Sequence, residues 1–170
     1  MKKIKFLFPA AVVLFAVVFL STSLPPDRIL TRQDYLPIFM ERSDLEKSVF
    51  YIPEARELRH TGKIYTKDGY VYVNERYKGV HVIDNKDPHH PKIFAFINAP
   101  GCIDMAVKGN IMYLDNAVDL VAFDLNSKEV KKRIPRVFPE PSAPDGGEYR
   151  IPKRDEKYII VGWKNPPRSK

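Results

Sequence analysis

Apolar and polar positions alternate in short runs from Gly62 onward. "KIYT", "YVYVNE", "GVHVID" and "KIFAFIN" are rich in Val, Ile, Tyr and Phe, and "KDG", "RYK" and "NKDPHHP" separate them. Clusters of Gly, Asp, Asn and Pro between β-branched and aromatic runs predict four antiparallel strands joined by turns. Four strands in about 36 residues is the size of one β-propeller blade. "GVHVID" is apolar on both faces, which suits an inner strand covered from both sides.

The pattern then recurs. "IDMAVKGNIMYLDNAVDLVAFDL" repeats "IYTKDGYVYVNERYKGVHVIDN" at an offset of about 40 residues. Gly69 falls on Gly109. With one extra residue in the second copy, Tyr72 falls on Tyr113 and Asn74 on Asp115, and the next strand aligns Val80 with Leu120 and Asp84 with Asp124. The spacing predicts two repeats, over residues 62–99 and 101–138. Asp84 ends a strand and can accept a backbone N–H two residues on. Pro88 and Pro91 lack an N–H and suit a corner and the start of an outer edge strand, with Asp87 between them and Asp84. The second copy keeps the acid as Asp124 and replaces the prolines with "NSKEV". Gly69, Asp84, Asp87, Pro88, Pro91, Gly109 and Asp124 are therefore read as turn and repeat positions. Residues 139–170 hold most of a Pro-rich loop and one strand, "KYIIVGW", where a third repeat would begin. The expected fold is all-β: four-stranded antiparallel blade-like repeats, a partial β-propeller, with a short N-terminal helix.

Upstream of Gly62 the pattern changes. "MKKIK", an apolar Phe6–Leu20 and "STS" have the order of a signal peptide, so residues 1–23 are read as a leader cleaved after Ser23. The alternative is an uncleaved anchor, since the apolar stretch extends through Ser21–Leu24. Either way Lys2, Lys3 and Lys5 hold the N-terminus inside and place the rest outside the cytoplasmic membrane, in periplasm, on the surface or secreted. Residues 24–61 read as a linker with one short helix over about 44–50. Ser43 and Glu46 have capping-box spacing, and Leu45 and Val49 form an i,i+4 apolar pair. "YIPEARELRHTG" reads as a connector.

Composition narrows the class. Hydrophobic residues are 44% and charged residues 29% of the 170, which is globular rather than disordered, and fifteen prolines against eight glycines disfavour a helical bundle. The formal charge is +7. Three of the 28 basic residues and none of the 21 acidic ones lie in 1–23, so the remainder carries +4. Mild basicity on an exported chain suits an anionic surface or polysaccharide at least as well as nucleic acid. Lys128, Lys131, Lys132, Arg133 and Arg136 read as a solvated turn and strand edge. Cys102 is the single cysteine, so no intrachain disulfide forms, and its apolar neighbours predict burial.

Reactive constellations are missing from the sequence. His89 and His90 are adjacent and would point opposite ways in an extended segment, so they chelate one ion poorly. His81 is mid-strand and reads as packed or hydrogen-bonded; His60 lies in the connector. "DNKDP" opens like a calcium loop but lacks the downstream Gly and Glu, and Asp115, Asp119 and Asp124 read as solvated or turn-capping acids. No nucleophile elbow, phosphate loop, zinc-protease helix or paired-cysteine motif occurs. Tyr65, Tyr70, Tyr72, Tyr77, Tyr113 and Trp163 could form a sugar-stacking platform, although strand aromatics more commonly serve as core or cross-strand pairs. No cofactor or metal is expected.

"GVHVIDNKDPHHPKIFAFI" resembles the LVIVD-type repeat: Val80–Asp84 occupy its strand core and Asp87, Pro88 and Pro91 its Asp-Pro-x-x-Pro corner. "DLVAFD" (Asp119–Asp124) is a more degenerate copy. The flanks "FMERSDLEKSV" and "INAPGCIDMAVKGNIMYLD" are similar to the N-terminal part of exported, commonly lipid-anchored LVIVD-repeat proteins of Bacteroidetes. The resemblance implies a propeller-like extracytoplasmic protein without an assigned activity. Two departures stand out: Ser21–Leu24 occupy the place of a lipobox cysteine, and a closed propeller needs about four to eight blades. The leading expectation is a binding or interaction module contacting an envelope protein or glycan, with self-association through open blade edges. Nucleic acid is not expected, and the membrane is met only through an uncleaved N-terminal segment. The alternatives are an envelope carbohydrate-active enzyme and a non-functional truncated fragment of a longer propeller.

Overall fold

A computed structural model describes residues 35–149 and 151–166. The leader, its cleavage position at Ser23 and most of the Pro-rich N-terminal stretch lie outside the described residues. Among those described, strands dominate and every pairing is antiparallel.

In chain order the elements are β1 (Leu36–Glu41), α1 (Arg42–Lys47), β2 (Phe50–Ile52), β3 (Thr61–Lys67), β4 (Tyr70–Glu75), β5 (Gly79–Asp84) and β6 (Lys92–Asn98). They continue with β7 (Met105–Lys108), β8 (Ile111–Asn116), β9 (Asp119–Asp124), β10 (Glu129–Ile134) and β11 (Tyr158–Lys164). Three sheets result, ordered β2-β6-β5-β4-β3, β10-β9-β8-β7 and β1-β11.

Local sequence explains the hairpins. Lys67 pairs with Tyr70 across Asp68-Gly69, whose φ values of 51° and 78° are both positive, the condition for a type I′ turn matched to strand twist. Lys108 pairs with Ile111 across Gly109-Asn110, where only Gly109 has positive φ, as in a type II′ turn. Glycine thus fills the second turn slot in one hairpin and the first in the other, which accounts for the extra residue after Gly109. The ladders then run in step: Tyr70 opposes Asp84 and Ile111 opposes Asp124, while Tyr72 opposes Val82 and Tyr113 opposes Ala122.

The two larger sheets share one core. Tyr72, Val80, Val82, Ala95 and Ile97 of the first meet Val107, Met112, Leu114, Val121 and Phe123 of the second. Side chains alternate along each strand, so cross-strand partners such as Tyr72 and Val82 share this core, and their neighbours along the strand take the other face of the sheet. Leu45, Ala117, Val118, Ile159 and Val161 form a second, smaller core where α1 and β11 meet the β8–β9 turn.

The N-terminal expectations need correction. The helix covers Arg42–Lys47 rather than about 44–50, and Glu41 is its N-cap, without a side-chain capping bond. Ser43 lies inside the helix, so the capping box does not form. Ser48 closes the helix instead, its N–H and Oγ both donating to the Leu45 carbonyl at 3.2 and 2.8 Å. Leu45 and Val49 then enter different cores rather than forming one helical pair. Phe50–Ile52 is a fifth strand on the first sheet, pairing with Phe96–Asn98. β6 is therefore covered over its second half rather than being a free outer edge. Leu36–Glu41, read as linker, pairs with β11 and opposes Pro37 to Trp163.

Candidate functional site

The turn residues singled out from sequence gather at one end of the two larger sheets. Asp84 Oδ1 accepts the Lys86 N–H at 3.1 Å, and Asp124 Oδ1 accepts the Asn126 N–H at 2.8 Å. Asp87 accepts the His89 N–H at 3.0 Å and meets His90 Nδ1 at 2.7 Å, so this exposed carboxyl is held low first by His90. Asn85 N–H donates to Gly69 O at 2.8 Å, and Leu125 N–H to Asn110 O at 2.9 Å, tying each corner to its hairpin. Pro88 lies in the corner and Pro91 immediately precedes β6. These residues shape the backbone of the turns.

The buried polar groups collect at the opposite end. Asp119 is fully buried and accepts Arg42 Nη1 and Arg133 Nη1, each at 2.7 Å, and the Arg136 N–H at 3.0 Å. Burial pushes its carboxyl up, but the Arg42 and Arg133 bonds outweigh it and hold the group below the usual range. Arg133 also reaches Asn116 Oδ1 at 2.7 Å and the Leu45 carbonyl at 3.2 Å. Asp119 on β9 therefore ties α1 to β10, and Arg133 extends the tie to Asn116 on β8. Asp119 and Arg133 depart here from the solvated roles expected of them. A second buried pair joins His81 Nε2 to Glu75 at 2.7 Å, with the imidazole edge-on to Phe96 at 4.8 Å.

Beside this end, the outward face of the second sheet forms an open cleft of about 480 Å³. Ala106, Tyr113 and Leu120 make its floor and Phe138 with Pro139 its wall; Lys63, Asp104, Asp115 and Glu140 are its polar groups. A cleft that is mostly apolar with a few convergent polar groups is the default binding-site geometry. Tyr113 is 39% exposed here, whereas its repeat counterpart Tyr72 is 6% exposed in the shared core.

The polar groups of the cleft are committed within the protein. Asp115 accepts the Ile103 N–H at 2.9 Å and the Asp104 N–H at 2.9 Å. Burial raises its carboxyl against the pull of those amides. Lys63 Nζ meets Asp104 at 2.6 Å, and Glu140 receives Arg154 and the Ile160 N–H. Cys102, adjacent and fully buried, is pushed well up by burial and then by Asp115. A thiol raised in this way is not an activated nucleophile. No group of three or more metal-ligating side chains occurs among the described residues.

The aromatic platform is divided three ways. Tyr113 lines the apolar cleft. Tyr70 and Tyr72 share a second cleft with Tyr51 between the two sheets, and Tyr65 donates to Val107 O at 3.0 Å. Tyr77 and Trp163 meet in a third, together with Tyr35. Sequence reasoning missed Arg42, Tyr35 and Glu75 as partners; the available signal was His81, a polar residue inside an otherwise apolar strand pattern.

Compared with family models, with curated proteins and with solved structures, the chain matches none of them.

Proposed function

We propose that this chain is a non-catalytic binding module on propeller-like blades, exported from the cytoplasm and contacting a protein or glycan of the cell envelope. The observation that carries the reading is the cleft over Tyr113 and Leu120, whose apolar floor is open while its carboxylates are engaged by backbone amides or cations. Such a surface can hold a ligand by burial, but it offers no free base beside a nucleophile.

The blade reading draws support from the two consecutively paired four-strand units with matching ladders. The β1–β11 pair supports it further, joining segments far apart in the chain as a composite blade would. Export draws support from the basic–apolar–small order of residues 1–23 and from the LVIVD likeness of Val80–Asp84 with Asp87, Pro88 and Pro91. β7 and β10 each lack a second strand partner among the described residues, which gives self-association a route.

The test is a binding panel of envelope glycans and peptides against the full chain and the variants Tyr113→Ser and Leu120→Ser. The reading expects at least one saturable ligand whose affinity falls by about tenfold or more in either variant, the scale of losing one buried apolar contact, with the melting temperature kept within a few degrees. Binding untouched by both substitutions, or ligand turnover, would overturn it.

A further inference from the structure

The third cleft lies where the β4–β5 turn, the start of β3 and the end of β11 converge, and its volume is about 500 Å³. Tyr35, Tyr77 and Trp163 supply its aromatic surface, and His60, Arg76 and Lys164 its basic groups. None of the described residues lining it is acidic.

Arg76 is the unusual member. Its Nε is buried without an acceptor, its Nη1 makes a long 3.4 Å contact with Pro144 O, and its remaining polar neighbour is the Tyr77 side chain, not a carboxylate. Neither Arg76 nor Lys164 forms an ion pair among the described residues. Asp145, on the neighbouring loop, is already engaged by the Gly147 N–H at 3.0 Å and by the Tyr149 hydroxyl. A buried guanidinium N–H without an acceptor is costly, and its planar fork matches a carboxylate.

The aromatic walls are set in advance. Tyr77 Oη donates to Ser142 O at 2.6 Å and Trp163 Nε1 to Pro141 O at 2.8 Å, which fixes both rings by their polar tips. Arg76 lies 5.1 Å over the Tyr77 ring. Rings fixed before binding lose little further freedom when a flat ligand lies against them. Fixed apolar rings suit the C–H face of a sugar, and the unpaired cations suit an acid group on it.

We infer that this cleft binds an acidic saccharide of the uronic-acid class, with Arg76 and Lys164 taking the carboxylate and Tyr35, Tyr77 and Trp163 the ring. The inference rests on the binding reading in general, yet uses a different cleft from the Tyr113 surface, so the two can fail separately.

Trp163 is the single tryptophan of the chain, so tryptophan emission reports this cleft directly. The full chain is titrated with trigalacturonate, with its fully methyl-esterified form and with inorganic phosphate. The expected result is a saturable emission change with trigalacturonate that weakens with added salt and is at least about tenfold weaker with the ester. Arg76→Gln and, separately, the more exposed Lys164→Gln should each weaken the acid by about tenfold, while Lys131→Gln, an exposed cation on β10 away from every cleft described, leaves the signal unchanged. The inference fails if trigalacturonate gives no saturable change up to about 10 mM, if the ester binds equally well, or if phosphate binds as tightly and marks a plain anion site.

Discussion

Replacing Asp119 by Ala removes the acceptor shared by Arg42, Arg133 and the Arg136 N–H. Removing one partner of a buried ion pair costs about 3–5 kcal/mol, because the other charge stays buried without compensation. Two features place this case at the low end. The Arg42 and Arg133 side chains keep 21% and 14% exposure, and both retain other acceptors, Glu46 for Arg42 and Asn116 with the Leu45 carbonyl for Arg133. The expected loss is therefore about 3 kcal/mol. With an unfolding entropy of about 2.1 cal/mol/K per residue over roughly 130 folded residues, that lowers the melting temperature by about 10 °C.

Asp119→Asn keeps the shape but not the charge and should lose about half as much, since hydrogen bonds to charged groups are roughly twice as strong as neutral ones. The pH dependence gives a second handle. The folded carboxyl is held below the unfolded value of about 3.9, so its contribution is fully present above that pH and is lost as pH falls through the folded value. Differential scanning calorimetry from about pH 7 down to pH 3 should show the gap between wild type and Asp119→Asn narrowing below about pH 4. A loss under about 3 °C for Asp119→Ala, or a gap unchanged down to pH 3, would refute the reasoning.

Two glycines should lose very different amounts of stability on replacement by alanine. At Gly79, with φ of 143°, a Cβ would sit 2.0 Å from the Ile97 carbonyl oxygen, so Gly79→Ala should cost more than about 3 kcal/mol or prevent folding. At Gly109 a Cβ meets nothing within 4 Å, so only the positive φ opposes Gly109→Ala, and urea unfolding should show a loss of about 1 kcal/mol. Cys102 should resist thiol reagents in the folded protein and label only on unfolding, because it is fully buried and its thiol is pushed up. Ellman titration with and without denaturant checks this, and rapid labelling of folded protein would contradict it.

What the sequence made legible was local. Asp68-Gly69 and Gly109-Asn110 specify tight turns, and the period-2 runs beside them specify strands whose partners lie only a few residues away. Asp84 and Asp124 act within two residues of themselves, so their turn role could be read without a fold. What escaped was non-local. β1 carries Pro37 and follows a Pro-marked stretch, and it becomes a strand because β11 lies beside it in space. Asp119 has the same composition signal as a solvated strand-end acid; only the arrival of Arg42 from 77 residues upstream makes it the centre of a buried network. Arg133 looked like part of a solvated basic run for the same reason. The third cleft was half visible: Tyr77 and Trp163 were both noted as aromatics, but their meeting with Arg76 and Tyr35 depends on where β11 packs.

The central claim is that the protein holds an envelope ligand without transforming it. Its most direct test incubates the full chain with purified envelope polysaccharide and peptide from its own source, following bound protein and newly released products in the same sample. The account predicts saturable retention with no new reducing ends or cleaved peptide. New products that disappear in an Asp115→Asn variant would contradict it and make the acids of the Tyr113 cleft catalytic.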